Sequence, residues 1–120
     1  MSYVQGFVIP VPETNKGAYR DMAAKAAPIF REYGATRIVE CWGDALPDGQ
    51  TTDFRKAVKA EAGETVVFSW IVWPDRATCD AAHDKIWADP RMAEPDGPMP
   101  FDGKRMIYGG FAPIFDTDEG

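Results

Sequence analysis

Glu64-Thr65-Val66-Val67-Phe68-Ser69-Trp70-Ile71-Val72-Trp73 is the strongest β-type stretch of the chain, and its reading decides the fold. β-Branched and aromatic residues dominate it, as a pleated and packed surface favours. Successive side chains of a strand point to opposite faces. One face therefore carries Val66, Phe68, Trp70 and Val72, and the other carries Val67, Ser69, Ile71 and Trp73. Both are apolar apart from Ser69. A sheet covered by helices on one side only should show polar residues on the other. This strand asks for cover on both.

The stretch ends at Pro74-Asp75, a helix-type segment follows, and a second β-type run closes the block near Phe115. The same order occurs earlier, from Tyr3 to about Trp42, with Pro12-Glu13 as the break. Two such units in tandem predict a βαββαβ order. The expected fold is α+β: a ferredoxin-like sandwich with an antiparallel four-stranded sheet and its helices on one face. A length of 120 residues predicts one domain, 1–120.

The elements follow from local signals. The first strand is read as Tyr3 to Val11, with Pro10 and Pro12 marking an edge or a strand exit. It too has two apolar faces, Tyr3, Phe7, Ile9 and Val11 against Val4 and Val8. The first helix starts after Thr14 or Asn15 and carries the stripe Tyr19, Met22, Ala23, Ala26, Ile29, Phe30, Tyr33. Gly34 falls at its C′ position, and Pro28 inside it is expected to kink or split the helix. A second strand runs from Thr36 to about Gly43, and Pro47-Asp48-Gly49 marks a turn. Asp53 to Ala60 reads as a short helix capped by Asp53. The last long helix begins after Asp75 and ends near Asp89-Pro90. A loop rich in proline and glycine, Met92 to Gly103, leads to a fourth strand, Lys104 to Phe115, and the acidic tail 116–120 is expected to fray. With both helices on one side, a second copy stacked on the other predicts a homodimer.

Composition narrows the partners. A net charge of −6 works against nucleic acid, which is bound through lysine and arginine. Arg55, Lys56 and Lys59 are flanked by Asp53 and Glu61 and read as a solvated face. Cys41 and Cys79 are the only cysteines, and one histidine leaves too few ligands for a structural zinc site. Two unpaired thiols and no basic signal-type N-terminus predict a cytoplasmic protein. Val66 to Trp73 is too short to span a bilayer. Dinucleotide, Walker, zincin and nucleophile-elbow motifs are missing, so no cofactor is expected.

Few residues carry a chemical signal. Glu40 sits between Ile38 and Trp42 on one strand face, where a carboxylate is desolvated unless paired. It reads as a general base or ligand anchor, or else as a salt bridge to Arg37 or Lys104 or a group at a wet sheet edge. His83 shares a helical stripe with Cys79, Ala82, Ile86 and Trp87, which admits an acid–base role and also a packed, hydrogen-bonded histidine. Trp42, Trp70, Trp73, Trp87, Tyr108 and Phe111 suit a ligand cavity and a dimer interface equally. Gly109-Gly110 allows close approach by a ligand, a bulge or another backbone.

Several stretches carry a resemblance. Tyr3-Val4-Gln5-Gly6-Phe7-Val8, Gly34-Ala35-Thr36-Arg37-Ile38-Val39-Glu40-Cys41-Trp42 and Glu64-Thr65-Val66-Val67-Phe68-Ser69-Trp70 are similar to the YbaA-like bacterial family, domain of unknown function 1428. So are Asp89-Pro90-Arg91-Met92 and Pro100-Phe101-Asp102-Gly103-Lys104-Arg105-Met106-Ile107-Tyr108-Gly109-Gly110-Phe111. The resemblance implies a dimeric α/β barrel and brings no established activity with it. By analogy with that superfamily, a pocket between sheet and helices is expected to bind a small organic molecule, and an enzyme built on it would be a cofactor-independent oxygenase, lyase or isomerase. The expected catalytic residues are Glu40 and Tyr108, and the expected binding residues are Arg37, Trp42, Trp70, His83 and Phe111. The alternative is a non-catalytic interaction or stress-response module acting through protein or RNA contacts.

Overall fold

The Glu64–Trp73 run forms a strand over its full length and sits inside the sheet, with a long strand on one side and a short one on the other. A computed structural model describes residues 2–92 and 99–118. In chain order the elements are β1 (Tyr3–Pro12), α1 (Lys16–Glu32), β2 (Arg37–Trp42), α2 (Phe54–Ala57), β3 (Glu64–Trp73), α3 (Arg76–Ala88) and β4 (Ile107–Phe111), with 3₁₀ turns at Glu13–Asn15 and Pro90–Met92. The sheet order is β2-β3-β1-β4, and every neighbouring pair is antiparallel. The fold is the ferredoxin-like α+β arrangement.

The two faces of the sheet are unlike. Val67, Ile71 and Trp73 of β3, with Ile9 and Val11 of β1, are buried beneath Tyr19 of α1 and Cys79, Ala82 and Ile86 of α3. The Trp73 indole N–H donates to Gln5 Oε1 at 2.8 Å, so this core tryptophan carries no orphaned donor. Among the described residues the opposite face carries no long helix, only the single turn of α2 at one end. There the register aligns Val4 with Val72 and Phe111, and Val8 with Phe68 and Ile107. Phe68 is 46% exposed and Phe111 61% exposed. Phe54 of α2 leans on this face, edge-on to Phe68 at 6.1 Å between centroids, and at the same end Val66 and Pro10 are buried.

Local chemistry sets the boundaries. Asp75 caps α3 by accepting the Thr78 N–H at 2.7 Å, and Asp53 caps α2 by accepting that of Lys56 at the same distance. Gly34 ends α1 with φ +117°, and a Cβ there would lie 2.6 Å from Thr78 Cγ2. Two ionic clusters then fix the ends of the layers. Asp89 accepts from the Tyr33 hydroxyl at 2.8 Å and from Arg91, which also reaches Glu32 at 2.6 Å, so the C-terminal ends of α1 and α3 are tied together. At the other end Arg105 grips Glu64 through two bonds of 2.8 Å, fastening the lead-in of β4 to the start of β3.

Of the two readings of Pro10 and Pro12, a sheet edge or a strand exit, the second holds: β1 lies inside the sheet, and both prolines fall beyond Val8, where pairing with β4 has ended. Two other sequence expectations are corrected. α1 runs unbroken through Pro28, held by the Tyr19 and Ile29 stripe that it buries. β4 is shorter than Lys104 to Phe115 because Arg105 is drawn aside to Glu64 and Asp102, and Pro113 has no N–H to offer a ladder. Part of the expected Met92–Gly103 loop, residues 93–98, and the end of the acidic tail, 119–120, lie outside the described residues. No helix among the described residues is long and apolar enough to cross a membrane.

Two outcomes test this packing. Ile71→Ala removes a buried side chain between sheet and helices and is expected to cost about 2–5 kcal/mol, read as a lower urea midpoint with an unchanged m value. The second outcome concerns acid. Arg91 and the Tyr33 hydroxyl hold the Asp89 carboxyl well below the usual carboxylate range. A depressed folded-state value stabilises above the unfolded-state value, and that contribution is lost as the pH falls through the folded one. Asp89→Asn should therefore flatten the fall in stability from about pH 5 downward, measured by denaturation at a series of pH values. An unchanged slope would remove Asp89 from the account.

Candidate functional site

α1 crosses the sheet beside β2, and its residues facing that strand are small. Ala23, Ala24 and Ala27 form one wall of a groove of about 360 Å³, and Ile38, Glu40, Trp42 and Val67 form the other wall and the floor. Alanine favours the helix and takes little room; a larger residue at any of the three positions would fill the trough. Pro28 contributes as well. It has no N–H for the Ala24 carbonyl four residues earlier, which leaves a backbone acceptor at the helix wall.

One hydrogen bond organises the groove. The Tyr19 hydroxyl, on a buried residue of α1, donates to Glu40 Oε1 at 2.6 Å. Burial, and next the hydrogen bond and charge of Glu40, push the Tyr19 phenol far above its ordinary value, so it stays protonated and serves as a fixed donor. Glu40 lies on the exposed edge strand β2 opposite Ser69, with Oε2 left for another donor. Lys16 and Arg20 stand at the lip, both exposed, and the Lys16 ammonium lies 5.6 Å from the centre of the Trp42 ring. The site thus offers a carboxylate, an indole, two cations and an apolar trough. Such a set suits a small amphipathic molecule with a hydrogen-bond donor and an anionic end.

The residues expected from sequence are only partly brought together. Glu40 and Trp42 meet in the groove. The partner of Glu40 is Tyr19, not Arg37 or Lys104. Tyr108 shares the helix-side face but stands on β4 at the far edge, stacked on Phe7 at 6.3 Å. Three strand spacings, about 14 Å, separate β4 from β2. Arg37, Trp70 and Phe111 project from the opposite, open face. His83 is exposed on α3 beside Trp87, which is itself 76% exposed, so neither packs with Cys79, Ala82 and Ile86 as the stripe suggested. Gly110 accommodates Tyr3, whose hydroxyl occupies the space of a Cβ. Sequence reasoning put Tyr19 in the core stripe and missed its polar end. The signal was there: a phenol on a buried helix face needs an acceptor, and a mid-strand carboxylate needs a donor.

The remaining charged groups are largely occupied. A second depression beside α2 is lined by Asp48, Asp53, Arg55, Lys56 and Lys59. There Arg55 donates to the Glu64 and Glu61 carbonyls, and Asp53 is held below the usual carboxylate range by the Gly49 and Lys56 N–H groups. Among the described residues no cluster of histidine, cysteine and carboxylate groups is arranged to hold a metal ion.

Comparison with known proteins places this geometry in context. Residues 2–103 match the family model described as protein of unknown function DUF1428. Proteins called uncharacterized protein YbaA in Escherichia coli K12 and in Shigella flexneri are each 63% identical over 116 residues, covering 97% of this chain and 99% of theirs. Among solved structures, a dimeric ferredoxin-like protein from an uncultured marine organism aligns with a TM-score of 0.56 at 10% identity, over 98% of this chain and all of that one. That likeness is one of fold.

The Tyr19–Glu40 bond has a spectroscopic consequence. The chain has four tyrosines. Tyr19→Phe is expected to leave the amplitude of reversible phenolate absorbance up to about pH 11 unchanged, because Tyr19 does not ionise in the folded protein. Loss of one phenolate equivalent would mean that the phenol is not held as described. The same variant should lower stability by about 1 kcal/mol at neutral pH.

Proposed function

The chain belongs to the DUF1428 family, and we propose that it works as a homodimer whose groove between α1 and β2 binds a small organic molecule. The observation that carries this reading is the 2.6 Å bond from Tyr19 to Glu40 inside a groove of about 360 Å³. It aims a carboxylate with a spare oxygen at an otherwise mostly apolar space of a size common in ligand sites. Glu40 accepts the donor of the ligand, Trp42 and the alanine wall take its apolar body, and Lys16 or Arg20 takes an anionic end. If chemistry follows binding, Glu40 is the general base and Tyr19 positions it, in a cofactor-independent reaction of oxygenase, lyase or isomerase type.

The dimer rests on the open sheet face. Phe68, Trp70, Val72, Phe111 and Ile107 form an apolar patch of the kind a permanent interface covers. The dimeric description of the marine neighbour supports the same reading. Two free thiols, one exposed, fit a reducing cytoplasm.

A thermal-shift screen of small metabolites tests the groove. A ligand at about a hundred times its Kd adds about 2.7 kcal/mol to stability. The expected result is a rise in Tm that disappears in Ala24→Phe, which fills the trough from an exposed helix position. A rise that survives Ala24→Phe would put the binding site elsewhere. With a ligand in hand, Glu40→Gln separates the roles: lost turnover with retained affinity marks a base, and loss of binding marks an anchor.

A further inference from the structure

Beyond β4 the chain leaves the body of the protein as an arm. Ile114 is 99% exposed and Phe115 is 81% exposed. Asp116 and Asp118 follow, and the Asp118 N–H donates to Asp116 at 2.8 Å. Two adjacent large apolar residues so fully in water call for a partner surface. The arm is also stiffened: Pro113 fixes its own φ and biases Ala112 toward an extended conformation, which lowers the entropy lost on docking. It starts from β4, the edge opposite β2, so it does not cover the groove of its own protomer.

A second copy changes that relation. When two sheets stack face to face about a twofold axis running along the strands, β4 of one protomer lies over β2 of the other. The arm then emerges at the outer β2 edge of the partner, and by passing round that edge it reaches the groove on the helix side. The chemistry of the two surfaces is complementary. The groove offers an alanine and indole trough with Lys16 and Arg20 exposed at its lip. The arm offers Ile114 and Phe115 followed by two carboxylates. β2 also presents an outer edge with no paired strand among the described residues, and such edges accept an extended segment.

The geometry points to a shared site, in which the arm 112–118 of each protomer lies along the α1–β2 groove of its partner, with Ile114 and Phe115 roofing the trough and Asp116 and Asp118 facing Lys16 and Arg20. This inference rests on the dimer and the groove proposed above and adds that the site is incomplete in one chain. It also accounts for a groove that is open to water in the single chain: its roof belongs to the second subunit.

Cross-linking tests the placement. Cys41 is exposed on β2, the strand that lines the groove, with its side chain on the open face opposite Phe68, whereas Cys79 is buried. Phe115→Cys, treated with a short bis-maleimide, should give mostly a covalent species of two chains, and Cys41→Ala in the same background should abolish it. Sedimentation of the untreated variant separates the possible failures. A dimer that does not cross-link overturns the arm placement and leaves the dimer standing. A cross-link that persists without Cys41 shows the arms meeting each other and also overturns the placement. A lone monomer overturns both the arm and the dimer reading beneath it.

Discussion

Everything in this molecule depends on keeping β3 dry on both sides. Its Val67, Ile71 and Trp73 face the helices and form the core. Its Phe68, Trp70 and Val72 face away, where the described residues form no second helical layer. At about 25 cal/mol per Å² of apolar area removed from water, covering several large side chains is a strong drive to associate. The central strand thus sets the fold within one chain and leaves the apolar face that the proposed second copy would cover.

The candidate site is a by-product of the same architecture. β2 is an edge strand, so its helix-side residues are only partly covered by α1. Alanines on α1 keep the helix from sealing that gap, and the Tyr19–Glu40 bond sets a polar group within it. The two ionic clusters lie at the ends of the layers: Arg91 with Asp89 and Glu32 ties α1 to α3, and Arg105 with Glu64 ties the lead-in of β4 to β3.

Much of the fold was legible in the sequence because several signals agreed. β3 ends where Pro74-Asp75 says it should, and Gly34 and Asp75 terminate and start helices as their chemistry demands. The path of α1 through Pro28 was not legible, since the packing that outweighs one lost hydrogen bond is tertiary. The error over His83 is angular. At about 100° per residue, His83 and Trp87 lie progressively off the direction set by Cys79, Ala82 and Ile86, and the helix buries the latter three alone. The parity of a strand already separated Arg37 from Glu40, while the distance of Tyr108 from Glu40 needed the strand order. The Tyr19–Glu40 pair needed the angle at which α1 crosses β2, which no local pattern encodes.

Sedimentation equilibrium at micromolar concentration addresses the central claim most directly. If an identical chain shields the open face of β3, the protein sediments at twice its 13.3 kDa chain mass, and Trp70→Asp, which puts a charge in the middle of that face, shifts it to a single chain. A well-behaved 13.3 kDa particle for the unmodified protein would contradict the account, because the apolar face would then be stable in water without a partner.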